Sequence, residues 1–125
     1  MRLLLDTHVF LWAVAGSRQL KPPARRLIES AEQVCVSAAS IWEIAIKAQL
    51  GKIMADADEL VAAIDASGFI ELPVRAVHAA GVARLELRHR DPFDRILLAQ
   101  AISEPLRLLT ADATLAQYSD LVLLL

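Results

Sequence analysis

The chain has 125 residues, a length suited to one domain spanning 1–125. It is 56% hydrophobic with a mean hydropathy of +0.45, enough for a sizeable core, yet no apolar run reaches the ~18 residues of a membrane span. The formal net charge of −2 gives no sign of a general nucleic-acid binder, and the single cysteine, Cys35, excludes an internal disulfide and a thiolate metal site. Cys35 lies between Val34 and Val36 and reads as a small core residue. The start, MRLLLDTH, carries charge too early for a secretory signal, so a cytoplasmic location is expected if no leader precedes it.

Strand-like and helical patterns alternate along the chain. Arg2–Leu5 is a strand candidate, and a helix starts at Val9–Val14. Pro22 and Pro23 suit a helix start, with Ala24–Ala31 following. Gln33–Val36 reads as a second strand. Ser37 can cap a helix over Ala38–Leu50, with Gly51 at its end. Asp56 and Glu59 form a capping-box-like pair before a helix to Ser67, closed by Gly68. Phe69–Leu72 is a strand, and Val74–Leu85 is helical in pattern. Asp91-Pro92 opens a helix to about Ser103. Arg107–Leu109 is a strand, Ala113–Tyr118 a short helix and Leu121–Leu125 a final strand. This order predicts an α/β fold with a parallel sheet covered on both faces, and such folds place their sites beyond the carboxyl ends of the strands.

Four acids stand inside apolar runs: Asp6 in LLLDTHVFLWA, Glu43 in SIWEIAI, Asp94 in PFDRILLA and Asp112 in LLTADATLA. Charge is rare at the edge of a core unless it is paired or binds a metal. Each acid also has a plain structural role open to it. Asp6 and Asp112 can cap helices. Glu43 can pair with Lys47 at i,i+4, but its helix is apolar almost all round, so Ser40, Glu43 and Lys47 form a stripe expected to line a cleft. Asp91, before Pro92, is the natural helix cap. Asp94 shares its face with Leu97, Leu98 and Ala101 and is the better site candidate. Clustered carboxylates repel, and a hard dication such as Mg²⁺ or Mn²⁺ relieves that repulsion. The three histidines form no HxxxH or HxH pair, which disfavours zinc.

Other catalytic signatures are absent: the sequence holds no GxGxxG, P-loop, GxSxG or HExxH. Thr110 can add a hydroxyl beside Asp112, and Ser40 can orient Glu43. His8 is a candidate substrate contact with a helix-surface alternative, and His78 reads as structural. In RLELRHRDPFDR, Arg84, Arg88, His89, Arg90 and Arg95 crowd around Asp91 and Asp94, and Lys47 and Lys52 can extend this basic rim. A basic rim beside an acidic pocket suits a phosphodiester. Phe10, Trp12 and Trp42 are expected in the core or at a subunit interface.

LLLDTHVFLWA, SAASIWEIAIK, HRDPFDRILLAQA and LLTADATL, in this order and spacing, resemble the PIN-domain family, and more narrowly the VapC-type ribonuclease toxins of toxin–antitoxin pairs. The resemblance covers essentially the whole chain. It implies a three-layer α/β/α sandwich around a mainly parallel sheet. It also implies RNA cleavage with Mg²⁺ or Mn²⁺ held by acids that fall on Asp6, Glu43, Asp94 and Asp112. The family's frequent hydroxyl two residues before its fourth acid falls on Thr110. The implied partners are an RNA substrate, a cognate antitoxin and a second copy of the chain, with no membrane. Two rivals stay open: a non-catalytic protein-binding module, and phosphoryl transfer onto an aspartate. The latter lacks a second acid next to Asp6 and a lysine after a late strand.

Overall fold

The five strands are β1 (Arg2–Leu5), β2 (Gln33–Ser37), β3 (Ile70–Leu72), β4 (Arg107–Thr110) and β5 (Val122–Leu124). They appear in a computed structural model that describes residues 1–87 and 90–125; Arg88 and His89 lie outside the described residues. The strands form one all-parallel sheet in the order β3-β2-β1-β4-β5. Near-continuous apolar runs such as Leu3-Leu4-Leu5 fit strands buried on both faces. Alternation then divides them: Leu3 and Leu5 enter one core, and Leu4 enters the other.

The first core is closed by α1 (Thr7–Ala15), α2 (Pro22–Ser30), α3 (Ala38–Gln49) and α4 (Ala57–Ala66), through Val9, Phe10, Ala24, Ile44, Leu60 and Ile64. The second is covered by α6 (Pro92–Ser103), through Leu97, Leu98 and Ala101, and by Leu115. The short α5 (Ala76–Gly81) packs on α6. The result is the expected α/β/α sandwich. Among the described residues, no helix is long and apolar enough to cross a membrane.

The expected caps formed. Ser37 accepts a hydrogen bond from the Ala39 N–H, and Asp56 accepts from Asp58 and Glu59. Gly16 ends α1 in the left-handed region, φ 63°, which no other residue adopts as cheaply.

Two expected helices came out shorter. The pattern over 74–85 yields only α5 and a 3₁₀ turn over Val82–Arg84. The Arg95 guanidinium donates to the carbonyls of Val82, Leu85 and Glu86, and the Val82 carbonyl also accepts the 3₁₀ bond from the Leu85 N–H. The pattern over 113–118 yields a 3₁₀ turn over Leu115–Gln117. There the Asp112 carboxylate closes onto the Thr114 N–H and hydroxyl, a local turn that competes with helix.

His78 is structural, as expected. It is fully buried and its Nδ1 accepts from the Arg75 N–H at 2.9 Å. The proton therefore sits on Nε2, which donates to Glu104 at 2.8 Å and lowers that carboxyl's pKa. The pair ties α5 to the end of α6.

Phe10 is fully buried and meets Phe69 edge-on, with centroids 6.4 Å apart. Phe10→Ala is expected to cost about 3–5 kcal/mol, read as a lower urea midpoint at unchanged slope.

Candidate active site

The chain runs from β1 to β2 and β3 on one side, then crosses to β4 and β5 on the other. The crevice of such a sheet opens at this switch, beyond the carboxyl ends of β1 and β4. Asp6 follows β1 directly, and Asp112 lies two residues past β4. Leu5 is in register with Leu109, so Asp6 comes beside Thr110, and the Asp6 N–H extends the ladder to the Leu109 carbonyl at 3.0 Å. The buried Thr110 hydroxyl links both acids. It donates to Asp6 Oδ2 at 2.5 Å and accepts from the Asp112 N–H at 3.1 Å.

Asp6 also caps α1, accepting from the His8 N–H at 3.2 Å. Capping and site placement thus coincide in one residue. Asp91 caps α6 as expected, accepting from the Phe93 and Asp94 N–H groups at 2.9 and 3.3 Å. This presents Asp94, half-buried, in the first turn.

Glu43 is buried on α3 and meets the Lys47 ammonium at 2.6 Å. The i,i+4 pairing is therefore realised, and of the expected stripe Glu43 and Lys47 line the cleft whereas Ser40 does not. Ser40, also buried, accepts from the Thr7 hydroxyl at 2.9 Å and fixes the start of α1 against α3. Trp42 meets Phe93 edge-on, with centroids 5.2 Å apart, and joins α3 to α6. It does so at the surface: at 63% exposed, Trp42 is not a core residue of the chain. Phe10 is in the core, as read.

Asp6, Glu43, Asp94 and Asp112 all line one cleft of about 640 Å³, together with Asp91, Lys47 and His8. Trp12, Gln19 and Ala111 complete its wall and were not anticipated. Trp12 follows His8 by four residues, one helical turn, and their ring centroids are 6.1 Å apart. That spacing was the available signal. Gln19 lies in the loop before α2, where nothing in the sequence points to the cleft.

The basic rim needs correction. Arg95 is buried and donates to backbone carbonyls beneath the 82–86 segment, so it does not offer its charge to a ligand. The N4 position of α6, one residue past Asp94, turns it inward. Arg90 is exposed and lines an apolar groove adjoining α3 and α6, not the acidic cleft. Arg88 lies outside the described residues. Lys47 and His8 are at the cleft as expected.

Burial raises the pKa of the Asp6 carboxyl; the Thr110 hydroxyl and the His8 N–H oppose this, and Glu43 adds to it by repulsion. Lys47 is held more firmly protonated by its bond to Glu43, assisted by the charges of Asp91 and Asp94. All-oxygen donors around a buried, reluctant carboxylate fit a hard dication in chemistry. Among the described residues, however, no group of three or more His, Cys, Asp and Glu side chains is arranged to hold one ion. Asp6 is bonded to Thr110 and the His8 N–H, Glu43 to Lys47, and Asp112 to the Thr114 N–H and hydroxyl.

The PIN domain family model matches residues 3–121. The chain belongs to the PIN-domain family. It is 30% identical over 122 residues to Ribonuclease VapC22 of Mycobacterium tuberculosis, covering 93% of this chain and 91% of that protein. Its fold is similar to that of a chain in the structure of DNA-bound VapBC from Salmonella typhimurium, with a TM-score of 0.70 at 14% identity, covering 100% of this chain and 97% of that one. A toxin–antitoxin complex from Klebsiella pneumoniae is also similar, with a TM-score of 0.68 at 19% identity, covering 97% and 95%. At these identities the structural likenesses bear on the fold alone.

Two consequences follow for this PIN domain. Thr110→Val keeps the shape but leaves Asp6 Oδ2 without its donor, so stability should fall by about 1–3 kcal/mol in urea titrations. Asp6→Asn should act in the opposite sense. The raised pKa means that the folded state binds this proton more tightly than the unfolded state, so stability is lost as pH rises towards neutral. Without divalent ions, Asp6→Asn is therefore expected to raise the melting temperature at pH 7 by about 3 °C. The gain should vanish in acid, below the ordinary carboxyl range, where the parent is protonated in both states.

Proposed function

We propose that this protein is a ribonuclease that depends on Mg²⁺ or Mn²⁺ and acts as the toxin of a toxin–antitoxin pair. The observation that carries this reading is the meeting of four acids, from three helix starts or strand ends and from α3, in one cleft at the sheet's switch point. The relative's name, a ribonuclease, supports the reaction, and the similar toxin–antitoxin structures support the pairing.

In this reading Asp6, Glu43, Asp94 and Asp112 would hold the metal. The ion supplies charge against the phosphate and makes the attacking water more acidic. The chain's own residues do the rest. Thr110 holds Asp6 and the Asp112 backbone in place, Asp91 presents Asp94, and Ser40 with Thr7 fixes the spacing of α1 and α3. A cleft carboxylate orients the water, whose oxygen bonds to phosphorus as the bond to the leaving oxygen breaks, and the water's proton ends on that leaving oxygen. Lys47 and His8, at the cleft, meet the RNA strand.

The groove of about 650 Å³ bordered by Trp42, Val74, Val82, Phe93 and Ile96 is almost wholly apolar and supports a protein partner, in this reading the antitoxin. A homodimer and a cytoplasmic location belong to the same reading. A specific observation favours a second one: Asp6 and Asp91 are helix caps and Asp112 closes a turn, as a non-catalytic binding module would need.

Cleavage separates the two. Purified protein should cut RNA with Mg²⁺, stop with EDTA, and lose more than about a hundredfold in rate as Asp6→Asn. Equal cleavage under all three conditions would sink the metal-nuclease reading, and no cleavage under any would favour the binding module.

A further inference from the structure

Lys47 is the one lysine or arginine among the described residues lining the acidic cleft. Its ammonium lies 2.6 Å from Glu43 Oε2, and both residues line the cleft. Glu43 is 6% exposed and lies in the middle of α3. Lys47 is 32% exposed, and its flexible stem can carry the charge outwards. An ammonium and a dication cannot share one carboxylate oxygen at contact distance, because their repulsion in a partly buried site is large.

We infer that Lys47 competes with the metal ion for Glu43 and, once displaced, serves the RNA phosphate at the cleft mouth. This inference rests on the proposed function and adds a coupling within that site. A dication at the Glu43 oxygen would leave the ammonium free to move outwards, so that Lys47 offers its positive charge to the strand. By linkage, RNA that holds the displaced ammonium strengthens metal binding by the same factor. The chain thus carries its own stand-in cation, which neutralises part of the cleft until metal and substrate arrive together.

Calorimetric titration with Mn²⁺ tests this without reference to activity. Lys47→Met keeps length and helix propensity and removes the charge. It should bind Mn²⁺ about tenfold more tightly than the parent, the strength of a charge-assisted hydrogen bond at a partly exposed site. Lys47→Arg, which retains a competing cation, should stay near the parent. In a Glu43→Gln background the tightening by Lys47→Met should largely disappear, because the contested oxygen no longer carries charge. At saturating Mn²⁺, Lys47→Met should raise KM for a short single-stranded RNA more than it lowers kcat. Thermal melts report whether each variant folds, and Lys47→Gln carries the same test if the methionine variant does not.

Equal or weaker Mn²⁺ binding by Lys47→Met overturns the competition, as does full tightening in the Glu43→Gln background, which would reflect general charge removal. An unchanged KM overturns the release to RNA. A parent that binds no Mn²⁺ overturns the metal reading of the cleft and this inference with it, whereas a parent that binds normally with an unaltered variant overturns only the role of Lys47.

Discussion

Repulsion among carboxylates is the constraint around which this end of the molecule is built. Asp6, Glu43, Asp91, Asp94 and Asp112 face a common space. Like charges in a half-buried setting do not gather unless each is compensated. Asp6 accepts from the Thr110 hydroxyl and a helix N-terminus. Asp91 accepts two N–H groups at the start of α6, Asp112 closes on Thr114, and Glu43 takes a lysine. Among the described residues, the compensation at Asp6, Asp91, Asp112 and Glu43 includes backbone N–H groups, hydroxyls and the Lys47 ammonium. A lining with five carboxylates suits a small cation better than an anion.

The same arrangement explains why the structural and functional readings of these acids did not compete. A helix N-terminus stabilises a carboxylate, and an open α/β sheet directs helix N-termini to the carboxyl edge of its strands. Asp6 and Asp91 can cap a helix and face the cleft with one side chain. A hydrogen bond seen at such a residue is therefore no argument against a role in chemistry.

Much of this was legible in the sequence, because acids inside apolar runs have few explanations. The order of elements, the caps at Ser37, Asp56 and Asp91, and the parallel sheet followed from local patterns. What escaped depended on tertiary bonds. Arg95 reads as one more charge in a basic run, but the α6 face that carries it turns beneath the 82–86 segment, where it holds three backbone carbonyls. Trp42 sits in an apolar helix yet lies outside, because α3 packs on its neighbours through Ile44 and leaves the tryptophan against Phe93. Gln19 reaches the cleft by the path of a loop, which periodicity does not encode.

The register between β1 and β4 acts as a ruler for the cleft. Leu5 faces Leu109, which sets Asp6 against Thr110 and Asp112 just beyond. A shift of one residue in either strand would reverse its inward and outward faces and separate the linked pair. Loops at the opposite edge of the sheet carry no such obligation. Variation in length should therefore be tolerated where the chain returns to the amino ends of its strands and resisted within β1 and β4, whatever RNA or partner the rest of the surface has come to suit.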